Sequence, residues 1–141
     1  MKKIILLLVV AGMMLASCQS AGGEALIVND VWARPASMGD NSAAYFLIDN
    51  QGTADKLIGA KSDIAMSTEV HMTMSEGGMM KMKHVMEIEI PSGEKTEFQP
   101  GGYHVMFMGL NRDLKPGDTF SLTLVFETAG EMTFEVVVRE P

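Results

Sequence analysis

From Leu26 onward the chain is a succession of short apolar-rich runs separated by turn-forming residues. Strand-like runs lie near Leu26–Ala33, Ala43–Asp49, Lys56–Ala60, Glu69–Met74, Met79–Ile90, Thr96–Phe98, Tyr103–Gly109, Thr119–Glu127 and Met132–Val138. The breaks between them are rich in Gly, Pro, Asn and Asp, as at Pro35 to Asn41, Asn50-Gln51-Gly52, Pro91-Ser92-Gly93 and Pro116-Gly117-Asp118. No stretch sustains a helical period with caps, and Asp63 to Met66 offers one turn at most. Many short strands joined by Gly/Pro turns predict an all-β protein, an antiparallel sandwich or barrel. No internal repeat and no second domain is visible.

One strand stands out. Tyr103 to Leu110, Y-H-V-M-F-M-G-L, follows Pro100-Gly101-Gly102. Strand period puts Tyr103, Val105 and Phe107 on one face and His104, Met106 and Met108 on the other. An imidazole and two thioethers side by side are odd for a core and suited to a soft metal. The natural partner is Glu69 to Val85, whose hairpin turn must fall within Ser75-Glu76-Gly77-Gly78. Two registers compete. A turn centred between Glu76 and Gly77 sets His71 opposite Met82, whereas a two-residue turn at Gly77-Gly78 sets His71 opposite His84. Glycine's tolerance of positive φ slightly favours the second. Either register collects soft or nitrogen donors on one face.

Composition narrows the chemistry. Of 14 methionines, seven lie between Met66 and Met86. The start, Met1-Lys2-Lys3 followed by the apolar run Ile4 to Leu15, reads as a signal peptide too short to span a membrane. It ends in Leu15-Ala16-Ser17-Cys18, which resembles a bacterial lipobox, so residues 1–17 are expected to be removed and Cys18 lipidated. Residues 18–25 then form a flexible tether and 26–141 the folded domain. Cys18 is the sole cysteine, so its lipidation leaves the domain without a thiol, a disulfide or a thiolate ligand. Export implies an oxidising compartment, periplasm or cell exterior. Loss of Lys2 and Lys3 leaves 9 Lys and Arg against 18 Asp and Glu, an acidic balance that argues against nucleic acid. It also leaves the lipid, with no polybasic patch beside it, to hold the protein to a membrane.

Thioethers are poor ligands for Mg²⁺, Ca²⁺ or Zn²⁺ and favour Cu(I), and imidazole suits copper as well. A blue-copper electron-transfer centre needs a Cys thiolate, which this domain lacks. Isolated residues carry less: Met38 and Met132 read as ordinary packing methionines, and His84 as a solvent-facing residue or a spare ligand. Met79 and Met80, beside a glycine turn, suit a copper-guiding rim or a partner surface.

The spacing His71, ten residues, Met82, twenty-one residues, His104, one residue, Met106 resembles the H-x10-M-x21-H-x-M pattern of the periplasmic copper chaperone family called PCuAC. Met72 fits the methionine that optionally follows the first histidine. V-W-A-R-P at Val31 to Pro35, A-A-Y-F at Ala43 to Phe46, G-G-M-M-K-M from Gly77 and P-G-G-Y-H-V-M-F-M-G-L from Pro100 are similar to the family too. The resemblance runs from about Val28 to Val138. It implies a Greek-key, cupredoxin-like (Ig-like) β-sandwich that binds Cu(I) through His71, Met82, His104 and Met106, with Met72 as an accessory candidate; His84, an extra nitrogen donor beside the motif, departs from the family pattern and is a second accessory candidate. It also implies delivery of copper to the CuA-bearing subunit of cytochrome c oxidase, or to another copper chaperone, with or without a thiol-reducing partner. The family ligand set favours the register in which His71 faces Met82. The chain ends at Glu140-Pro141 without the His/Met-rich tail that some members use for Cu(II), which confines the expectation to Cu(I). Ligand exchange rather than catalysis is then the expected chemistry. Two other readings, a copper-sequestering lipoprotein and a structural Ig-like surface domain, differ from it in transfer and in metal content respectively.

Overall fold

A computed structural model of the protein describes residues 26–141. The expected leader, Cys18 and the tether lie outside the described residues. Ten strands follow one another: β1 (Leu26–Ala33), β2 (Ser42–Asn50), β3 (Asp55–Lys61), β4 (Ala65–Glu76), β5 (Met79–His84), β6 (Ile88–Ile90), β7 (Lys95–Phe98), β8 (Tyr103–Leu110), β9 (Thr119–Phe126) and β10 (Gly130–Val138). The expected all-β class holds, and no helix occurs among the described residues.

The strands form one ladder in the order β5-β4-β8-β7-β2-β1-β10-β9-β3-β6, with β2 also pairing β8. The ladder is mixed where an antiparallel one was expected: β1 runs parallel to β10, and Phe98 of β7 pairs Tyr103 of β8 in parallel. Phe107 of β8 meets Phe120 of β9 edge-on at 5.3 Å between ring centroids, although four strands separate β8 from β9 in the ladder. The sheet must therefore curl until its two halves face each other, and the core fills the space between them. Val70, Val105 and Phe107 from one half and Phe120, Leu122, Leu124 and Val136 from the other are all buried there. Closing both sides of that core buries the inward-pointing residue of each alternating pair, as in a sandwich.

Two departures from the sequence reading bear on the site. The run expected as a single strand over Met79–Ile90 is two strands. After His84 the chain makes one further rung, Val85 N–H to the Val70 carbonyl at 2.8 Å, and then leaves β4. It crosses to pair with β3 at the other end of the ladder, which buries Ile88 and Ile90. The hairpin register is the second correction. His71 lies opposite His84, and Met82 lies opposite Thr73. The family pattern favoured His71 opposite Met82; turn chemistry prevails instead. Gly77 and Gly78 both take positive φ, 60° and 78°, the backbone a two-residue primed turn requires at both central positions.

Candidate metal site

The site is built on the face of β5, β4 and β8 that points away from the core. On β8, strand period buries Val105 and Phe107 inward and leaves His104 and Met106 outward. On β4 the same period turns Val70 inward and Glu69, His71 and Thr73 outward. Across the β4–β8 ladder His71 pairs His104 and Glu69 pairs Met106. On the other side of β4, His71 pairs His84 and Thr73 pairs Met82. All four expected ligands thus share one face. Met82 sits diagonal to His71, a relation that spans about 7–8 Å between Cα atoms and is within reach of a long side chain.

Each imidazole of the central pair is held by one nitrogen. The turn Gln99-Pro100-Gly101-Gly102 closes with Gly102 N–H donating to the Gln99 carbonyl at 2.9 Å, and Gly101 adopts φ 85°. Pro then Gly at the two central positions is the type II signature. The turn brings the Gly102 carbonyl within 3.2 Å of His104 Nδ1. A carbonyl only accepts, so Nδ1 carries the proton and the lone pair is on Nε2. His71 is held the other way round. Its Nε2 donates to Glu69 Oε2 at 3.0 Å, and its Nδ1 is buried without a partner among the described residues. A buried acceptor left unpaired costs about 1–3 kcal/mol, so this orphaned lone pair calls for a ligand that the protein itself does not supply.

Burial falls toward the edge of the sheet. His104 is 3% exposed, the side chain of His71 12%, and His84 is open to solvent. His104 is covered. Tyr45 lies over it with ring centroids 6.4 Å apart, and Trp32 backs Tyr45 at 4.8 Å. Burial pushes the His104 imidazole below its ordinary pKa, the Gly102 hydrogen bond opposes this, and nearby His71 adds to the lowering. The hydrogen bond from His71 holds the Glu69 carboxyl below the usual range; partial burial opposes it, and Ser67 assists. A cleft of about 380 Å³ opens beside His104 and is lined by Met80, Met82, Met106, Tyr45 and Arg34 among others. The thioethers and His104 thus line one cleft.

The structure brings together His71, Met82, His104 and Met106, and adds His84 as a direct neighbour of His71. It does not bring in Met72, which pairs Lys83 and Tyr103 on the opposite face of β4. Among the described residues no three His, Cys, Asp or Glu side chains converge as a metal cage, so a closed site on this face needs the thioethers. Sequence reasoning missed Glu69 and Tyr45. Glu69 was findable, because E-x-H in a strand places both side chains on one face. Tyr45 was not, since its approach to His104 depends on the β2–β8 pairing.

The class defined by this geometry is a single curled β-sheet domain carrying an imidazole and thioether face. A family model described as "Putative lipoprotein LpqE-like" matches residues 26–138. A protein of Leifsonia xyli subsp. xyli, named "Putative lipoprotein Lxx21020", is 32% identical over 129 residues, covering 89% of this chain and 77% of that protein. An uncharacterized protein of Rickettsia prowazekii, RP573, is 34% identical over 102 residues, covering 68% of this chain and 56% of its own length. Among solved structures, the copper-bound PCuAC domain from PmoF2 superimposes with a TM-score of 0.69 at 28% identity, covering 83% of this chain and 94% of that one. The solution structure of Cu(I)-DR1885 from Deinococcus radiodurans gives 0.63 at 35% identity, covering 86% and 85%. The chain belongs to the LpqE-like family and its fold is that of the PCuAC domains.

Proposed function

We propose that this protein is an exported, lipid-anchored copper chaperone that binds one Cu(I) through His71, Met82, His104 and Met106. The observation that carries the reading is the pair of imidazoles facing each other across β4 and β8. Each has its protonated nitrogen tied to a protein acceptor, and His71 keeps a buried lone pair with no protein partner. Such outer hydrogen bonds are what fix the tautomer of ligating histidines. Thioethers on the same face make the set soft and neutral, which favours Cu(I) over harder divalent ions. The copper in the related PmoF2 and DR1885 structures supports the same choice of metal.

Neutral donors hold Cu(I) without the grip of thiolates, so an acceptor bearing Cys thiolates can take the ion by ligand exchange. The CuA-bearing subunit of cytochrome c oxidase, or a second copper chaperone, is such an acceptor. Anchoring at Cys18 would keep the donor at a bacterial membrane, and the lipoprotein names in the family support that placement.

Cu(I) titration followed by mass spectrometry under non-denaturing conditions tests the reading, with one ion per chain expected. Met82→Leu and Met106→Leu preserve apolar volume, and Met82 is 62% exposed, so the fold should survive both. Each should weaken Cu(I) binding by more than the roughly 10–100-fold that losing an outer-shell partner costs. Parent-like affinity in both variants overturns the four-ligand assignment. Transfer to a reduced, copper-free CuA domain separates a chaperone from a sequestering protein.

A further inference from the structure

We propose that His84 is a relay ligand through which Cu(I) enters and leaves the site, handing the ion to and from His71 at the edge of the sheet. The inference rests on the Cu(I) reading above. Three imidazoles stand on three adjacent strands in direct register, His84 on β5, His71 on β4 and His104 on β8. The ring centroids are 5.7 Å apart for His84 and His71 and 5.9 Å for His71 and His104. The spacing is even and the arrangement linear, and the three do not converge on a common point. An ion on this face can therefore touch His71 with His84, or His71 with His104. It does not meet all three together, so His84 is not a third resident ligand.

The burial gradient gives the line a direction. His104 is covered, whereas β5 is the last strand of the ladder and every one of its residues is exposed. The ligand of an incoming copper complex, or of an acceptor, reaches β5 first. Met80 and Met82 alternate with Lys81 on that strand and lie on the face of His84, so soft donors accompany the outer imidazole. In the step itself the Cu–N bond to His84 breaks as the Cu–N bond to His104 forms, with His71 bound throughout. Each ring bonds as a neutral imidazole, copper stays Cu(I), and no proton or electron is transferred. A relay of this kind lowers the barrier in both directions and leaves the equilibrium where it was.

Rapid mixing of the folded protein with Cu(I) held by a chromophoric chelator of known affinity measures loading, and an excess of the free chelator measures removal. In His84→Ala and His84→Phe both rates should fall by about tenfold, an added barrier of about 1.4 kcal/mol. The dissociation constant should stay within about twofold, a change of under 0.5 kcal/mol. Lys83→Ala, on the opposite face of the same strand, should keep both parent rates. The phenylalanine variant keeps a ring and strand propensity without a donor nitrogen, so slowing seen in the alanine variant alone is a packing effect and overturns the relay. Parent rates in both variants also overturn it. Weaker binding with faster removal makes His84 a resident ligand, a third overturning result. A parent protein that takes up no Cu(I) defeats the proposed function itself, which the rate comparison keeps distinct.

Discussion

Replacing Glu69 tests whether the carboxylate sets the nitrogen by which His71 would bind copper under the proposed function. Glu69 Oε2 accepts from His71 Nε2 at 3.0 Å, which makes Nδ1 the lone-pair nitrogen. A hydrogen bond to a charged group is worth about 1.5–3 kcal/mol net, and 34% exposure of the Glu69 side chain discounts it to about 1 kcal/mol. Loss of an outer-shell partner of a ligating histidine typically costs about 10–100-fold in metal affinity. Glu69→Leu removes the acceptor altogether, and the lower half of that range is expected because solvent can partly replace the bond. Glu69→Gln keeps a neutral oxygen acceptor and should fall between parent and Leu. Long-range ¹H–¹⁵N correlation of the ring nitrogens at neutral pH reads the tautomers directly. The parent apoprotein should show His71 protonated at Nε2 and His104 at Nδ1, and Glu69→Leu should mix the two forms at His71 only. The carboxyl is held below its usual value, chiefly by the His71 bond, so its contribution is complete above about 4.3, the ordinary glutamate value, and is lost only as pH falls through the lower folded-state value. If Glu69→Leu keeps parent affinity and a single His71 tautomer, the positioning role is refuted.

Three further predictions concern acid and the anchor. Burial, aided by His71 and opposed by the Gly102 bond, keeps His104 neutral to a lower pH than a free imidazole. The unfolded chain therefore takes up this proton first, and the apoprotein should lose stability as pH falls below about 6.5, between the unfolded value and the lowered folded one. With both histidines bound, apparent Cu(I) affinity should fall by up to about two decades per pH unit at acid pH and flatten above. A competition titration showing a flat profile would remove both imidazoles from the site. Cys18→Ser should release the protein from membranes while Cu(I) binding persists, because no basic patch is left to hold it. Finding that variant in the membrane pellet after fractionation would mean that the signal is uncleaved or that the lipobox reading is mistaken.

Much of this molecule was legible because its signals are local. Strand period alone placed His104 and Met106 on the face opposite Val105 and Phe107, and the Gly77-Gly78 pair pointed to the register the structure adopts. The fixed gaps between His71, Met82, His104 and Met106 identified the family, yet they misled on register. A pattern of residue positions reports which side chains share a face, and sharing a face does not require direct opposition: Met82 lies on the face of His71 in the diagonal position opposite Thr73. What stayed hidden depended on pairing between distant segments. Nothing in M-K-H-V-M-E-I-E-I announces that the chain abandons β4 after Val85, since Ile88 and Ile90 suit a continuing strand as well as a crossing one. The covering of His104 by Tyr45 and the parallel β1–β10 contact likewise follow from how the sheet curls.

The position of Glu69 also bears on how the proposed site would hold copper and still release it. The four neutral donors proposed above would leave a bound Cu(I) with its full positive charge on a face where His104 is already desolvated, and an uncompensated charge there is costly. Glu69 faces Met106 across the ladder and bonds the far nitrogen of His71, so its negative charge lies one imidazole away from the proposed ion. That distance keeps the carboxylate out of the ligand set, where a hard oxygen would suit Mg²⁺ or Ca²⁺ better than Cu(I). It still offsets the charge of the loaded site through the polarised ring. When copper leaves, Glu69 retains its bonds to His71 and Ser67, so the empty site is not left with an unpaired carboxylate. Under the proposed function the same residue would thus compensate the loaded state and remain satisfied in the empty one, which would favour release of the ion to a thiolate acceptor.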